Sequence, residues 1–509
     1  MLARSCCAAI VGVDAIPVTV EVDVGRGLPV FQIVGLPEAA VRESRDRIRT
    51  ALRNGGYGFP KGRITVNLSP ADIRKEGTGF DLAIALGILA ASGFLPQKAV
   101  ASHLALGELS LDGRVNPVRG VLAASALADP ERIRGILVPF ANAAEAAAPG
   151  KIPAYGVSDL GAAVDHLSGQ VFLAAQEPVN FLRLSMGEVE GADLKDVAGQ
   201  DHAKRALEVA AAGGHNILMT GPPGSGKTML ARRLPGILPP LSFEEALETS
   251  RIYSAAGLLD SGTGLVVKRP FRAPHHTISD AGLVGGGSYP RPGEVSLAHH
   301  GVLFLDEFPE FRKGLLDMLR QPLEDRRLTV SRACATVTFP ASIMLVGAMN
   351  PCPCGYAESP EGRCHCSPTA VDRYRARISG PLMDRMDIQI EVPAVAYGDI
   401  RRAGNGESSL AVRERVLLAR ERQARRFSGI AVSCNAGMEA AEIRAFCKID
   451  DAGEVLLGRA AEKLLLSARG ISRVLKIART IADLEEFQDI HVGHLAEALQ
   501  YRRFRPESA

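Results

Sequence analysis

The sequence predicts an α/β protein, with a parallel-sheet core preceded by an α+β block and followed by a helical region. Three observations predict it. Between Gly191 and about Pro393, short apolar β-runs alternate with helical stretches, the pattern of strands joined by crossover helices. From Ser408 onward apolar residues recur at three-to-four spacing, first Leu456, Ala460 and Leu464, then Val474, Ile477, Ile481 and Leu484. Before Ser168, strands mix with helices. Val18, Val20, Val22 and Val24 alternate with Thr19, Glu21 and Asp23, as in a half-buried strand, and Val41, Ile48 and Leu52 stripe a helix over Glu38 to Arg53. Weak periodicity from Ser168 to Glu190 reads as a linker. The expected division is 1–168, a linker at 169–190, a core at 191–395 and a helical domain at 396–509.

Composition agrees with several cores. A chain of 509 residues is long for one hydrophobic core, and 46% apolar residues are enough to fill two to four. The net charge is only +2, so affinity for nucleic acid has to come from local basic patches rather than a global field. No apolar run is long enough to span a bilayer, and no basic start with a long apolar core precedes Cys6-Cys7. The expectation is a cytoplasmic protein without a membrane. Nine cysteines in so long a chain do not make a disulfide scaffold; Cys6, Cys7, Cys334, Cys434 and Cys447 read as ordinary small core residues.

The core carries the residues of a nucleotide site. Asn216 to Thr220 reads as a buried strand, and Gly221-Pro222-Pro223-Gly224-Ser225-Gly226-Lys227-Thr228 follows it directly, ahead of a helix ended by Pro239-Pro240. This is a phosphate loop in its proper context. Glycines let backbone N–H groups turn inward at a helix N-terminus that already favours anions. Lys227 is expected on the β- and γ-phosphates of ATP, and the Thr228 hydroxyl on Mg²⁺. Four apolar residues, Val302 to Leu305, then deliver Asp306 and Glu307 at a strand's C-terminal edge, where α/β sheets bind ligands. Asp306 is expected to hold Mg²⁺ through water and Glu307 to orient the attacking water. Phosphoryl transfer needs chiefly positioning and charge neutralisation, so these parts suffice in kind. A third strand, Ile343 to Ala348, leads to Asn350, expected at the γ-phosphate or the attacking water; the alternative is a turn-forming Asn before Pro351.

Cys352, Cys354, Cys364 and Cys366 form two C-x-C pairs separated by nine residues, within an expected insertion at 351–367. Four thiolates, with His365 as a substitute, suit a tetrahedral structural Zn²⁺ site; reduced surface thiols or a redox pair are the alternatives. His275-His276 and His299-His300 are read as structural rather than metal-binding pairs.

The core resembles the magnesium-chelatase-like branch of AAA+ proteins, of the YifB/ComM family. Asp196-Val-Ala-Gly-Gln200, Arg269-Pro-Phe-Arg-Ala-Pro-His-His-Thr277, Gly293-Glu-Val-Ser-Leu-Ala-His-His-Gly301 and Ser379-Gly-Pro-Leu-Met-Asp-Arg385-Met-Asp387 carry the resemblance, which extends over almost the whole chain. It implies that Arg385 is an arginine finger for the neighbouring subunit's ATP site. It also implies a lid sensor at Arg469, with Arg473 as second choice. A finger acting in trans implies a closed ring, a homo-hexamer.

The first block resembles the Lon protease catalytic domain through Lys75-Glu-Gly-Thr-Gly-Phe-Asp81 and the run from Leu106 to Gly120. Aligned by eye, Gly79 stands at the serine position and Leu122 at the lysine position. A Ser–Lys mechanism needs both nucleophile and base, so no peptidase activity is expected. Arg42, Arg45, Arg47, Arg49, Arg53, Lys61 and Arg63 make this block locally cationic. They suit either phosphate contact or a solvated helix face paired with Glu43 and Asp46.

The alternating run Arg326 to Thr338 predicts a hairpin with Arg332 near its tip. The resemblance implies that such a hairpin points into the ring pore, where a basic tip would track a phosphate backbone. Lys268, Arg269 and Arg272 precede a second expected insertion. The family resemblance thus implies an ATP-driven ring motor on branched or single-stranded DNA, a branch-migration helicase in recombination and natural transformation. The alternative is a magnesium-chelatase-like ATPase that remodels a protein partner. A D-x-S-x-S metal-adhesion motif is absent from the chain.

Overall fold

A computed structural model describes residues 1–185, 192–287, 289–332, 335–357, 363–395 and 406–502. Cys334, the junction near residue 396, and part of the expected linker lie outside the described residues. None of the described helices is long and apolar enough to cross a membrane.

The chain forms two compact units. The first comprises residues 1–186, 242–267 and 290–292; the second comprises 187–241, 268–289 and 293–509. The first unit is built on a seven-stranded mixed sheet. Its strands are β1 (Leu2–Val11), β2 (Asp14–Gly25), β3 (Val30–Val34), β4 (Arg63–Ser69), β5 (His103–Ala105), β8 (Gly135–Pro139) and β9 (Ala154–Val157). A separate small hairpin pairs β6 (Glu108–Leu109) with β7 (Val115–Asn116). The spatial order is β3-β4-β2-β1-β5-β8-β9. Val18, Val20 and Val22 of β2 are buried, as their alternation predicts. The predicted helix spans Ala39–Asn54 and buries Val41, Ile48 and Leu52 against the sheet side. The helix Asp81–Ala91 is buried along its whole length, which its near-continuous apolar run requires.

Segment 242–267 belongs to this first unit, although it lies within the expected core. Its helix, Phe243–Ala256, starts at a Ser242–Glu245 capping box. The buried Glu145 carboxylate accepts from the Leu122 backbone N–H (2.9 Å), from Asn142 Nδ2 (2.8 Å) and from the Ser254 hydroxyl. One carboxylate therefore ties this segment to two elements of the N-terminal unit.

The second unit holds a five-stranded sheet of β10 (Ile217–Thr220), β11 (Phe271–Arg272), β12 (Val302–Leu305), β15 (Met344–Met349) and β16 (Ile388–Glu391). Every pairing is parallel, in the order β11-β12-β15-β10-β16. The predicted hairpin exists as β13 (Arg327–Ser331) and β14 (Thr336–Pro340). Helices Ser409–Arg426, Asp451–Lys463, Ala468–Leu484 and Val492–Gln500 follow. Val474, Ile477, Ile481 and Leu484 are all buried. In the shorter helix the sequence-based stripe is rotated: Leu456, Ala460 and Leu464 are only half-buried, and Leu457 enters the core.

Candidate active site

The C-terminal edge of the parallel sheet gathers the predicted nucleotide residues. β10 runs into the phosphate loop and the loop into the helix Lys227–Ile237. Gly224 and Gly226 adopt φ of +76° and +91°, backbone that side-chain-bearing residues rarely take. Gly221 is required for a different reason: a Cβ there would fall 2.1 Å from the Val392 carbonyl oxygen. Lys227 Nζ donates to the carbonyls of Gly221 (2.6 Å) and Pro222 (2.9 Å), and lies 3.4 Å from Ser225 Oγ and from Asn350 Oδ1. Burial lowers the pKa of this ammonium.

β12 delivers Asp306 beside the loop, where its Oδ2 accepts from the Thr228 hydroxyl at 2.7 Å. These two oxygen donors, a hydroxyl and a carboxylate in contact, are the hard ligands that Mg²⁺ takes. Their position at the head of the phosphate loop fits such an ion. Glu307 adopts a left-handed backbone, φ +52°, and its half-exposed side chain meets His276, Oε2 to Nδ1 3.0 Å. A non-glycine residue held in this sparsely populated region is characteristic of functional sites. β15 then places Asn350 next to Lys227.

Sequence reasoning missed three supports of this edge. Gln200, in the run before the phosphate loop, donates from Nε2 to the carbonyls of Pro393 (2.6 Å) and Ser225 (3.3 Å), bracing the loop from beneath. His276, read as structural, contacts the carboxylate expected to handle water. Tyr374, buried, brings its hydroxyl to the Asn350 backbone; burial pushes that hydroxyl up to about 12. No local pattern announces these contacts, because each joins residues far apart in the chain.

Arg385, Arg469 and Arg473 stand elsewhere. Asn216 precedes β10, and its side-chain amide donates to the Arg385 carbonyl (3.0 Å), while Asp387 Oδ2 accepts from its backbone N–H (3.3 Å). Arg385 thus lies at the strands' entry, one strand length from the phosphate loop. Four residues at roughly 3.3 Å each make about 13 Å. Its guanidinium is nearly buried, pairs with Glu324 (2.5 Å) and donates to the Pro381 carbonyl (2.6 Å). Arg473 Nε pairs with Asp387 Oδ1 at 3.1 Å. Arg469 is exposed; a hydrogen bond from Arg385, with the Arg385 and Arg469 charges, holds the Glu324 carboxyl below its usual range. Burial opposes ionisation of Asp387, but the His215 contact and the charges of Arg473 and Lys476 outweigh it, and its pKa falls. Within one chain, then, the structure brings Lys227, Thr228, Asp306, Glu307 and Asn350 together, and leaves the three arginines at the opposite edge.

The basic residues divide as well. Arg332 is exposed and follows β13 directly, its backbone N–H bonded to the Ala335 carbonyl (2.9 Å). Arg272 instead forms a two-pronged pair with Glu294, both contacts 2.6 Å, and Arg269 donates to the Pro239 and His300 carbonyls, both 2.6 Å. These two arginines knit the second unit together through those contacts. In the first unit Arg47 grips the buried Asp81 carboxylate (2.7 and 3.1 Å), so it too is structural. Burial pushes Asp81 up to about 6, against the pull of Arg47. Leu122, at the lysine position of the Lon-like block, is buried with Ala148 and Leu265, and offers no base. His299 accepts from the Ser342 N–H at 3.0 Å.

The four clustered cysteines are all free thiols. Their Sγ atoms lie within 4.8 Å of one another, and this donor set could hold a metal ion.

A phosphate loop feeding a helix, with an Asp-Glu pair at the end of a parallel strand one position removed across β15, defines an AAA+ ATPase core of the magnesium-chelatase type. Family models described as "Magnesium chelatase, subunit ChlI" match residues 193–400, "Subunit ChlI of Mg-chelatase" residues 20–142, and "Magnesium chelatase, subunit ChlI C-terminal" residues 406–502. The chain is 46% identical over 498 residues to competence protein ComM of Haemophilus influenzae, covering 97% of this chain and 96% of that protein. It is 44% identical over 498 residues to YifB of Escherichia coli, with the same coverage. The chain belongs to the YifB/ComM family of magnesium-chelatase-like AAA+ proteins. A further match, 31% identical over 160 residues, is to Lon protease 2 of Bacillus subtilis, covering 29% of this chain and 28% of that protein.

Proposed function

We propose that the protein is an ATP-driven homo-hexameric ring motor that acts on branched or single-stranded DNA, a branch-migration helicase serving homologous recombination and natural transformation. The observation that carries the motor reading is the separation of Arg385 from Lys227 across the sheet. A guanidinium at the strands' entry cannot neutralise a γ-phosphate at their exit in the same chain. It can do so for a neighbour, which makes hydrolysis a property of the ring. The DNA part is supported by near-full-length similarity to a competence protein.

In this reading the phosphate-loop N–H groups and Lys227 bind the β- and γ-phosphates of ATP. Thr228 and Asp306 would hold Mg²⁺, which would supply positive charge against the phosphate oxygens. Glu307 orients water and accepts its proton, while Asn350 orients the γ-phosphate. Arg385 of the adjoining subunit stabilises charge that develops as the phosphoryl group transfers, and Arg469, with Arg473 behind it, senses nucleotide state. Loss of the γ-phosphate then loosens the subunit junction and yields motion. Arg332 contacts the DNA backbone, and the four cysteines hold a structural zinc ion. The protein works in the cytoplasm.

The test is a four-way-junction assay with the wild type and Glu307→Gln. The wild type is expected to separate labelled strands with ATP, and the variant to bind ATP without moving them. ATP hydrolysis that neither moves a strand nor responds to junction DNA would overturn the DNA reading. It would favour the second, remodelling of a protein partner, which rests on the match to magnesium-chelatase subunits.

A further inference from the structure

Downstream of Asn350 the chain turns back toward the nucleotide loop. Cys352, two residues on, is fully buried. Its Sγ lies 3.3 Å from Cys354 Sγ and 3.7 Å from Cys364 Sγ, and Cys354 and Cys364 are 3.6 Å apart. With Cys366 they form one group of four. A disulfide would need about 2.05 Å between sulfurs, so these distances are not disulfides. A tetrahedral zinc thiolate with bonds of about 2.3 Å has sulfur–sulfur edges of about 3.8 Å. The observed spacings are close to that edge. A cluster of several irons would spread the sulfurs further, and an all-sulfur set disfavours Mg²⁺ and Ca²⁺. The exposed His365 lies outside the group, so four thiolates close the site and leave no open position of the kind catalytic zinc requires.

The turn that presents these sulfurs rests on the phosphate loop. Gly355 adopts φ +88°, and a Cβ built there would lie 2.7 Å from Pro223 Cδ. Its backbone N–H donates to the Cys352 carbonyl at 3.0 Å. On the other flank, Arg375 Nε reaches the Pro351 carbonyl (3.4 Å), and Tyr374 meets the Asn350 backbone. The turn that carries the sulfurs therefore begins two residues after Asn350 and lies, at Gly355, against Pro223.

We propose that Cys352, Cys354, Cys364 and Cys366 bind one zinc ion, and that this ion holds Pro223 and Asn350 in the arrangement that binds and hydrolyses nucleotide. The proposal rests on the nucleotide-site reading above and adds to it a metal requirement. Without the ion, four close sulfurs lose their common partner, and the turn loses what fixes it against the loop.

Full-length protein purified without chelator is expected to contain one zinc per chain, and Cys354→Ser and Cys364→Ser less than a tenth of that. Cobalt exchanged for zinc should give the strong visible absorption of a tetrahedral tetrathiolate, which reports the site without reference to activity. Removing zinc is expected to weaken binding of a fluorescent ATP analogue at least tenfold and to lower turnover comparably, with recovery on adding zinc back. Gly355→Ala should keep the zinc and the cobalt spectrum yet weaken nucleotide binding, because its Cβ pushes on Pro223. Absence of zinc, iron in its place, or no cobalt spectrum overturns the metal site. A zinc-loaded protein whose nucleotide affinity and turnover ignore both metal removal and Gly355→Ala overturns the coupling. Zinc-dependent nucleotide binding without any hydrolysis supports the inference and removes the ATPase reading instead.

Discussion

The two edges of the parallel sheet in the second unit are built in opposite ways. At the exit edge, Lys227, Thr228, Asp306, Glu307 and Asn350 converge, with Glu307 half-exposed and on a left-handed backbone. At the entry edge, Arg385, Arg473 and Asp387 are paired and largely buried, and Asn216 and His215 brace them. The first edge presents groups toward a ligand. The second stiffens a frame of paired, buried charges. Four strand residues separate the two, so Arg385 and Lys227 do not meet within one chain.

The comparison breaks most readily at Arg385. Arg385→Ala is expected to lower ATP turnover about 10³-fold while nucleotide binding persists, the scale of an arginine finger. Mixing it with Glu307→Gln should restore part of the activity, since a mixed ring contains sites with Glu307 from one chain and Arg385 from the next. Steady-state ATPase of the mixture checks this, and no recovery would mean that both groups act within one chain.

Next in size is Asp387→Asn, which removes the charge partner of the buried Arg473. It should destabilise the second unit by about 3 kcal/mol, measured by denaturant unfolding. Because the Asp387 pKa is depressed in the folded protein, its contribution is present above the unfolded value near 4 and fades as pH falls further. The variant should therefore lose less stability than the wild type on acidification below about pH 4.

Asp81 in the first unit has the opposite sign. Its folded pKa is about 6, above the unfolded value near 4. The folded state binds more protons between those values, so this group lowers stability as pH rises through the window, by roughly 3 kcal/mol at most. Asp81→Asn should flatten that slope in unfolding midpoints taken from pH 4 to pH 7.

The smallest effect is expected at His276. His276→Ala should reduce kcat about fivefold, near 1 kcal/mol, with KM little changed, because His276 positions Glu307 without touching phosphate. An unchanged kcat would show that the Glu307 contact has no role in turnover.

The readable parts of the molecule share a property. Gly221 to Thr228 announces itself because one short run carries the backbone conformation, the cation and the hydroxyl together. The Val302–Leu305 run shows its burial by being wholly apolar, and the helix Ala39–Asn54 shows its buried face through periodicity. Less readable are features set by rotation or by distant partners. The stripe through Leu456 is off by one residue, since two neighbouring apolar positions compete for the core and only packing chooses Leu457. Arg269 and Arg272 look like free cations until Glu294 and the Pro239 carbonyl come into view.

Taken alone, the sequence determined the phosphate-loop and Asp-Glu runs, the strand–loop–helix order, and the likeness of the first block to Lon. Those depend on residue types within a few positions of one another, where local geometry is nearly forced. The tertiary structure alone decided that Arg385 falls at the opposite edge from Lys227, that His276 meets Glu307, and that residues 242–267 pack with the N-terminal unit. It also decided that four sulfurs gather and that Gly355 settles against Pro223. These are matters of strand register and crossover, which bring distant residues into contact and leave no trace in local pattern.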